Sequence, residues 1–404
     1  MVRPRLLVFT ELYLPEGSGG ELATHLFLSF LSKYFDVTVV TGTSRPAPEV
    51  YRFGRVVVVP WFKDLKPMVW LKLLINARWF KRLVRDSQVV YVPSHKLLPI
   101  TTVVKHINKD ARVVVHLHNY QLISYTSIYI NGLKPSLITD ALVEYLENGS
   151  LLRALATGLI SWSNIMNSAA LRYADEVICV SKAQLKILGR FIPSIGRKAT
   201  VIYNPLPPIP SIEKKPEETP SMIYAGGGSY VKGFHILLEA LPRILKNNLR
   251  IYITAGRRIP QKSLKALKYV EKLYPSPSRV FLLGRLERRQ YLNLHEKAWA
   301  LLFPSIWEEP LPYAVMESMA LGTIPIASRV GGVPEIVGGS PAEEYMFMPG
   351  DVEGFVDRVD RVLTLTRGEL EDIGGKLREH VVRRFDQRKI ERAFLNLIYK
   401  VLSS

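Results

Sequence analysis

The residues best suited to chemistry lie in the run Pro304–Val337, PSIWEEPLPYAVMESMALGTIPIASRVGGVPEIV. Glu309 and Glu317 stand eight positions apart in it. A loop carrying Glu309 follows the predicted strand Ala300–Phe303 and leads into a helix starting near Pro312, because proline is tolerated in a first helical turn. Glu309 then precedes the helix, and Glu317 lies about a turn and a half inside it. Two carboxylates near one cleft can accept hydrogen bonds from sugar and ribose hydroxyls. The free N–H groups at the helix start, those of Tyr313 and Ala314, suit a phosphate. For such a pair taken alone, two acids on a solvated helix face are the alternative.

Three further stretches carry residues of the right type. Tyr224–Phe234, YAGGGSYVKGF, places Gly227, Ser229 and Lys232 between a predicted strand and a helix. Glycines there let backbone N–H groups approach an anion, and Lys232 adds charge. Pro15–Glu21, PEGSGGE, puts Gly19 and Gly20 between the first strand and the first helix. A structural turn is the alternative for that loop. It is no P-loop, since no G-K-[ST] follows, and no G-x-G-x-x-G, so nicotinamide and flavin lose their main support. His116 and His118 stand at the end of the predicted strand Arg112–Leu117, and strand carboxyl ends form the ligand crevice of an open α/β sheet. Alternation sends both rings to one side and Leu117 to the other. No H-E-x-x-H or cysteine-rich spacing accompanies them, which argues against zinc.

The elements that must position these residues alternate strand and helix. Arg5–Thr10, Asp36–Thr41, Val56–Val59, Val89–Val92, Arg112–Leu117 and Glu176–Val180 are short apolar runs, as expected of parallel strands buried on both faces. Ser181 follows the last of them as a helix N-cap candidate. Asn204–Pro220 is rich in proline and charge, and apolar periodicity stops there. A fresh series follows: Met222–Ala225, Arg250–Ala255, Val280–Leu283, Ala300–Phe303 and Ile324–Ala327. The fold class is therefore α/β, two Rossmann-like domains: 1–205, a linker 206–220, and 221–386. Residues 387–404 form an amphipathic helix with Ile390, Phe394, Leu397, Ile398 and Val401 on one face.

The chain has 404 residues and a single cysteine, Cys179, so no intrachain disulfide is possible and a reducing, cytoplasmic compartment is expected. Met1–Thr10 does not read as a signal peptide, and no run approaches ~18 uninterrupted apolar residues. The net charge of +18 favours polyanionic partners. No recognisable nucleic-acid-binding signature accompanies it, so nucleic acid is not expected. Residues 61–85 interleave Trp61, Phe62, Trp70, Leu71, Trp79 and Phe80 with Lys63, Lys66, Lys72, Arg78, Lys81, Arg82 and Arg85. That composition suits an anionic membrane surface, and an ordinary amphipathic helix over the sheet is the alternative. Tyr125–Asn167 is unusually apolar for a connection and could extend such a surface or an acceptor pocket.

The run Pro304–Val337 resembles the signature of family-4 glycosyltransferases of the GT-B fold, including Ala320, Gly322 and Pro325 and the G-G-x-P-E at Gly331–Glu335. The resemblance implies two Rossmann-like domains facing across a cleft, with the terminal helix crossing back to the first. It implies a nucleotide-diphospho-sugar donor, an acceptor hydroxyl and retention at the anomeric carbon. The basic, Trp-rich stretch 61–85 points to a glycan or lipid-linked acceptor, and with no D-x-D motif to present carboxylates near the phosphate site no metal or further cofactor is required. Glu309 would contact the donor sugar and Glu317 the ribose. Leu311, Tyr313 and Ala314 would border the donor, Gly19 and Gly20 would line the cleft, and His118, with His116 as runner-up, would contact the sugar and the departing phosphate. The family pattern G-R-x4-K-G matches at Lys232 and Gly233, but Gly227 stands where the arginine belongs. A guanidinium forks onto phosphate and glycine cannot, so backbone amides, Ser229 and Lys232 must suffice or another cation must substitute, for which Arg257 is the candidate. Pro312 replaces a common glycine and removes one backbone donor. No second catalytic carboxylate is evident across the cleft, which favours same-face attack over double displacement. A sugar-nucleotide epimerase and a non-catalytic nucleotide-sugar-binding homologue are the alternatives.

Overall fold

The apolar runs become strands whose side chains are buried on both faces. Val89–Val92 (β4), Ser221–Tyr224 (β8), Ala300–Phe303 (β11) and Ile324–Ser328 (β12) are wholly buried, as parallel strands covered by helices must be. The computed structural model describes residues 3–210, 213–254 and 279–403, together with 259, 264–265, 267–269 and 272. In the first half, Arg5–Thr10 (β1), Asp36–Thr41 (β2), Gly54–Val58 (β3), β4, Arg112–Leu117 (β5), Glu176–Cys179 (β6) and Ala199–Val201 (β7) form one sheet in the order β3-β2-β1-β4-β5-β6-β7. The second sheet joins β8, Arg250–Thr254 (β9), Arg279–Gly284 (β10), β11, β12 and Met346–Phe347 (β13) in the order β10-β9-β8-β11-β12-β13. All pairings within the two sheets are parallel. Both orders reverse beside the central strand, at β1/β4 and β8/β11. That switch point opens a crevice at the strands' carboxyl ends.

Local sequence starts the helices where the crevice needs them. Glu21 accepts the Ser18 N–H at 2.6 Å and holds the start of the helix Gly19–Leu31. Ser181 caps the helix Lys182–Phe191, accepting the Gln184 N–H at 3.1 Å.

Between the sheets, the proline-rich segment is docked onto the second lobe and is not a free tether. Lys214 donates to the His295 carbonyl at 2.6 Å, to Thr323 Oγ1 at 2.8 Å and to the Ala298 carbonyl. Three acceptors saturate one buried ammonium, which composition could not foretell. The terminal helix Gln387–Ser403 buries the face read from its periodicity. Phe394 packs at 4.7 Å on Phe27, 5.5 Å on Tyr91 and 6.0 Å on His116, all in the first lobe.

The stretch 61–85 needs correction. It is a short turn, Pro60–Lys63, and two helices, Lys66–Ile75 and Ala77–Val84. Phe62, Trp70 and Phe80 are fully buried, so three of the five aromatics counted toward a surface belong to the interior. Leu71 and Trp79 remain exposed.

Candidate active site

A cleft of about 720 Å³ lies between the lobes. Its walls include Gly19, Gly20 and His118 from the first lobe, and Ser229, Lys232, Glu309, Leu311, Tyr313 and Ala314 from the second. Sequence positions hundreds of residues apart therefore share one space because both switch points face each other.

Clearance favours glycine at 19, whereas a side chain at 20 would begin in ordinary contact. A Cβ on Gly19 would stand 3.2 Å from the Tyr313 ring, and one on Gly20 would stand 3.5 Å from His118 Cβ. The first helix thus starts against both a first-lobe histidine and a second-lobe tyrosine. Tyr313 is buried and donates its hydroxyl to the Pro205 carbonyl at 3.2 Å.

The two histidines divide. His116 is buried among Phe27, Phe394 and Tyr91, whose hydroxyl lies 2.8 Å from its Nδ1. It is a core residue, and the runner-up assignment falls away. The His118 ring lies 4.4 Å from that of His116 but lines the cleft. Burial pushes its pKa down to about 4, so the imidazole is neutral. Its Nε2 is buried and has no partner among the described residues.

Glu309 is held by backbone. Gly332 donates to its carbonyl at 2.9 Å, and a Cβ on Gly331, whose φ is +46°, would stand 1.9 Å from the same oxygen. The glycine pair of G-G-x-P-E therefore buttresses the Glu309 loop from behind. The Glu309 carboxylate lies 3.4 Å from Ser305 Oγ and 3.9 Å from Lys232 Nζ. Gly233, at φ +78°, brings Lys232 to this place, since a Cβ there would overlap the Pro304 carbonyl.

Glu317 ends a side cavity of about 250 Å³ lined also by Ala225, Thr254, Arg285, Tyr291 and Ala314. It is buried and paired with Arg288 at 2.5 Å. Burial raises its pKa, and the guanidinium opposes that rise. Ala225, Arg285 and Ala314 border both cavities, so the smaller opens into the larger.

Gly227 does not join the cleft wall. Its φ is +57° and its N–H donates to the Thr254 carbonyl at 3.1 Å. That amide is spent within the lobe and cannot serve an anion. Arg257 lies outside the described residues. Among the described residues, Lys232 and Arg285 are the two Lys or Arg side chains lining the cleft.

Sequence reasoning missed four residues. Arg288 and Arg285 follow β10 and reach the site only through folding. Glu335, the acid of G-G-x-P-E, crosses the lobes to accept the N–H groups of Lys182 at 3.0 Å and Ala183 at 2.7 Å and the Tyr203 hydroxyl at 2.8 Å. Glu147 lines the cleft from the first lobe, where no carboxylate was expected. It is engaged, accepting the Ser229 hydroxyl at 3.0 Å and the Val231 N–H at 2.8 Å.

Paired parallel sheets with switch points across a cleft define the two-lobed class known as GT-B. The model described as Glycosyltransferase Family 4 matches residues 18–208, and that described as Glycosyl transferases group 1 matches residues 207–380. The chain belongs to the family-4 glycosyltransferases.

An uncharacterized glycosyltransferase of Methanocaldococcus jannaschii is 26% identical over 240 residues, 56% of this chain and 60% of that protein. The lipopolysaccharide 1,2-N-acetylglucosaminetransferase of Salmonella typhimurium is 21% identical over 305 residues, 74% of this chain and 69% of that protein. The matches thus span about two thirds of these relatives' lengths. Sucrose-phosphate synthase of Thermosynechococcus elongatus superposes with a TM-score of 0.72 at 16% identity, over 99% of this chain and 100% of that one. HepE of Anabaena, in complex with UDP and glucose, gives 0.70 at 17% identity over 98% and 100%. These likenesses establish the fold.

Proposed function

We propose that this chain transfers a sugar from a nucleotide-diphospho-sugar to an acceptor hydroxyl with retention at the anomeric carbon. The observation that carries the reading is the convergence of His118, Lys232 and Glu309 on one cleft whose side cavity ends at Glu317. The nucleoside occupies the smaller cavity, with Glu317 accepting from the ribose. The sugar lies by Glu309, and the diphosphate spans the junction under Lys232 and Arg285. Arg285 thereby takes the place of the arginine absent at 227. The Anabaena protein with UDP and glucose bound supports a donor of this kind.

In the reaction, the bond from the anomeric carbon to the donor phosphate oxygen breaks and a bond to the acceptor oxygen forms on the same face. The departing phosphate takes the acceptor's proton. Lys232 and Arg285 offset the charge developing on that phosphate, and neutral His118 donates or accepts a hydrogen bond without adding charge. The proposed chemistry uses no metal ion. Closure of the lobes, which Glu335 and Glu147 bridge, excludes water and favours transfer over hydrolysis.

The acceptor in this reading is a glycan or lipid-linked glycan at a membrane face, approached through the exposed basic residues of 61–85. Among the described residues no helix is long and apolar enough to cross a membrane. A peripheral place on the cytoplasmic face of a membrane fits that arrangement. The test is a screen for release of nucleoside diphosphate from UDP-, GDP- and ADP-sugars with and without lipid-linked acceptors. Acceptor-dependent release is expected. Conversion of the nucleotide sugar without any acceptor would show an epimerase instead.

A further inference from the structure

We infer that the helical hairpin Leu137–Ser161 is the element that enters an anionic lipid bilayer, and that a bilayer-anchored acceptor reaches the cleft through the cavity beside it. The inference rests on the lipid-linked acceptor reading and names the surface that reading needs.

The hairpin is made of the helices Leu137–Asn148 and Leu151–Ser161. Gly149, at φ +67°, ends the first, and Ser150 caps the second by accepting the Arg153 N–H at 3.4 Å. A Cβ on Gly158 would stand 3.2 Å from Ala141 Cβ, so the two helices lie close together. Their outer faces are apolar. Ile138 is 81% exposed, Leu152 82%, Leu159 75% and Trp162 67%, with Leu142, Tyr145, Leu151 and Leu155 also exposed. The positions 138, 142 and 145, and 152, 155, 159 and 162, recur every three or four residues. Each helix thus carries one stripe of the kind normally turned inward, yet here both stripes face out.

The hairpin's acids are kept off those stripes. Asp140 is buried and accepts from Ser124 at 2.8 Å and from the Thr126 N–H at 3.0 Å. Glu144 pairs with Arg153 at 2.8 Å, and Glu147 is turned into the cleft. Across an adjoining cavity of about 320 Å³, which Lys66, Val143 and Thr157 line together, stands the helix Lys66–Ile75 with Leu65, Leu71 and Ile75 exposed at and along it. Arg78, Lys81, Arg82 and Arg85 follow, all exposed. Apolar stripes on the hairpin and exposed cations on the helix that follows Lys66–Ile75 suit an anionic bilayer. A second copy of the chain is the poorer occupant, because it would set one net charge of +18 against another. Each hairpin helix is roughly 17 Å long, well short of the ~30 Å hydrocarbon core, so the pair lies in the interface and does not span it.

The cavity supplies the route. Thr126, Ile128 and Glu147 line both it and the cleft. An acceptor whose lipid stays in the bilayer beside Leu152 and Leu159 can therefore extend its polar end past Thr126 toward His118.

The test is co-sedimentation of the full chain with phosphatidylcholine vesicles, with and without about a third phosphatidylglycerol, for wild type, Leu152→Glu with Leu159→Glu, and Arg78→Glu with Arg82→Glu. Wild type should bind the anionic vesicles, and the double leucine variant should bind at least about tenfold more weakly at both low and high salt. Its nucleoside diphosphate affinity should be unchanged, which separates loss of docking from loss of fold or of the donor site. Wild-type binding in the leucine variant with loss only in the arginine variant would overturn the hairpin's part and leave 61–85 as the docking surface. Absence of wild-type vesicle binding, or a wild-type dimer that the leucine variant dissolves, would overturn the inference entirely.

Discussion

The Glu147 carboxylate, carried on the first lobe, accepts the Val231 N–H of the second at 2.8 Å, inside the glycine-rich turn proposed to hold the donor's diphosphate. An anion from the protein thus occupies hydrogen-bond donors that a phosphate would use. Glu147→Gln keeps an acceptor there and removes the charge. Nucleoside diphosphate affinity should rise roughly three- to tenfold, about 1 kcal/mol for relieving one like-charge contact near a surface. Calorimetry checks this, and unchanged affinity would place the diphosphate elsewhere.

Lys232 and Arg285 should act on the diphosphate alone. Lys232→Ala and Arg285→Ala should each weaken nucleoside diphosphate binding by about ten- to a hundredfold, the range for a charge-assisted hydrogen bond. Binding of the bare nucleoside should hold. If Arg257→Ala gives this pattern and Arg285→Ala does not, Arg257 is the substituting cation.

Glu309→Ala should lower turnover by at least about a hundredfold through loss of a hydrogen bond to the reacting sugar. Stability should hardly change, because backbone bonds from Gly332 and to Trp307 hold the loop. Thermal unfolding alongside activity separates the two, and near-normal turnover would show the sugar lies elsewhere.

Glu317 titrates above an ordinary glutamate because it is buried, and Arg288 restrains the rise. The ionised carboxylate accepts from the ribose more strongly than the protonated acid, so the contact weakens as pH falls through the folded pKa. Arg288→Ala should raise the value further. Nucleotide affinity should then begin to fall at a higher pH than in wild type, as read from affinity measured between about pH 8 and 5. Coincident profiles would remove Glu317 from the nucleoside site.

Desolvation pushes the half-buried His118 down to about 4 and the fully buried His295 down to about 3. The unfolded chain takes up protons on them near pH 6.5, while the folded chain does so only near pH 4 and pH 3. Stability should therefore fall as pH drops from about 6.5, by roughly 1 kcal/mol per pH unit for each ring. Thermal unfolding from pH 7.5 to 4.5 measures it. His118→Ala should flatten part of this slope and reduce turnover more than nucleotide affinity. An unaltered slope would mean that His118 is not held neutral.

Much of the candidate site was legible because the family's signals are local. Glu309, Glu317, Lys232 and the glycine pair at 19–20 sit at fixed offsets from strand ends and helix starts, and a strand's carboxyl end is where an open sheet binds. Apolar runs gave the strand order's raw material, and the spacing of Phe394 and its neighbours showed the terminal helix's buried face.

Tertiary structure alone decided what depends on distance across the chain. Spacing could not tell His116 from His118, since both point the same way from β5, and only the packing of Phe27, Tyr91 and Phe394 makes one core and leaves the other in the cleft. It could not show that the Gly227 amide is spent on Thr254, that Arg285 borders both cavities, or that Glu147 reaches across the lobes. Composition likewise could not separate buried Trp70 from exposed Leu152. Local sequence specifies backbone preference and the period of burial. Which polar groups meet, and which apolar faces stay uncovered, follows from how the two sheets and their insertions are brought together.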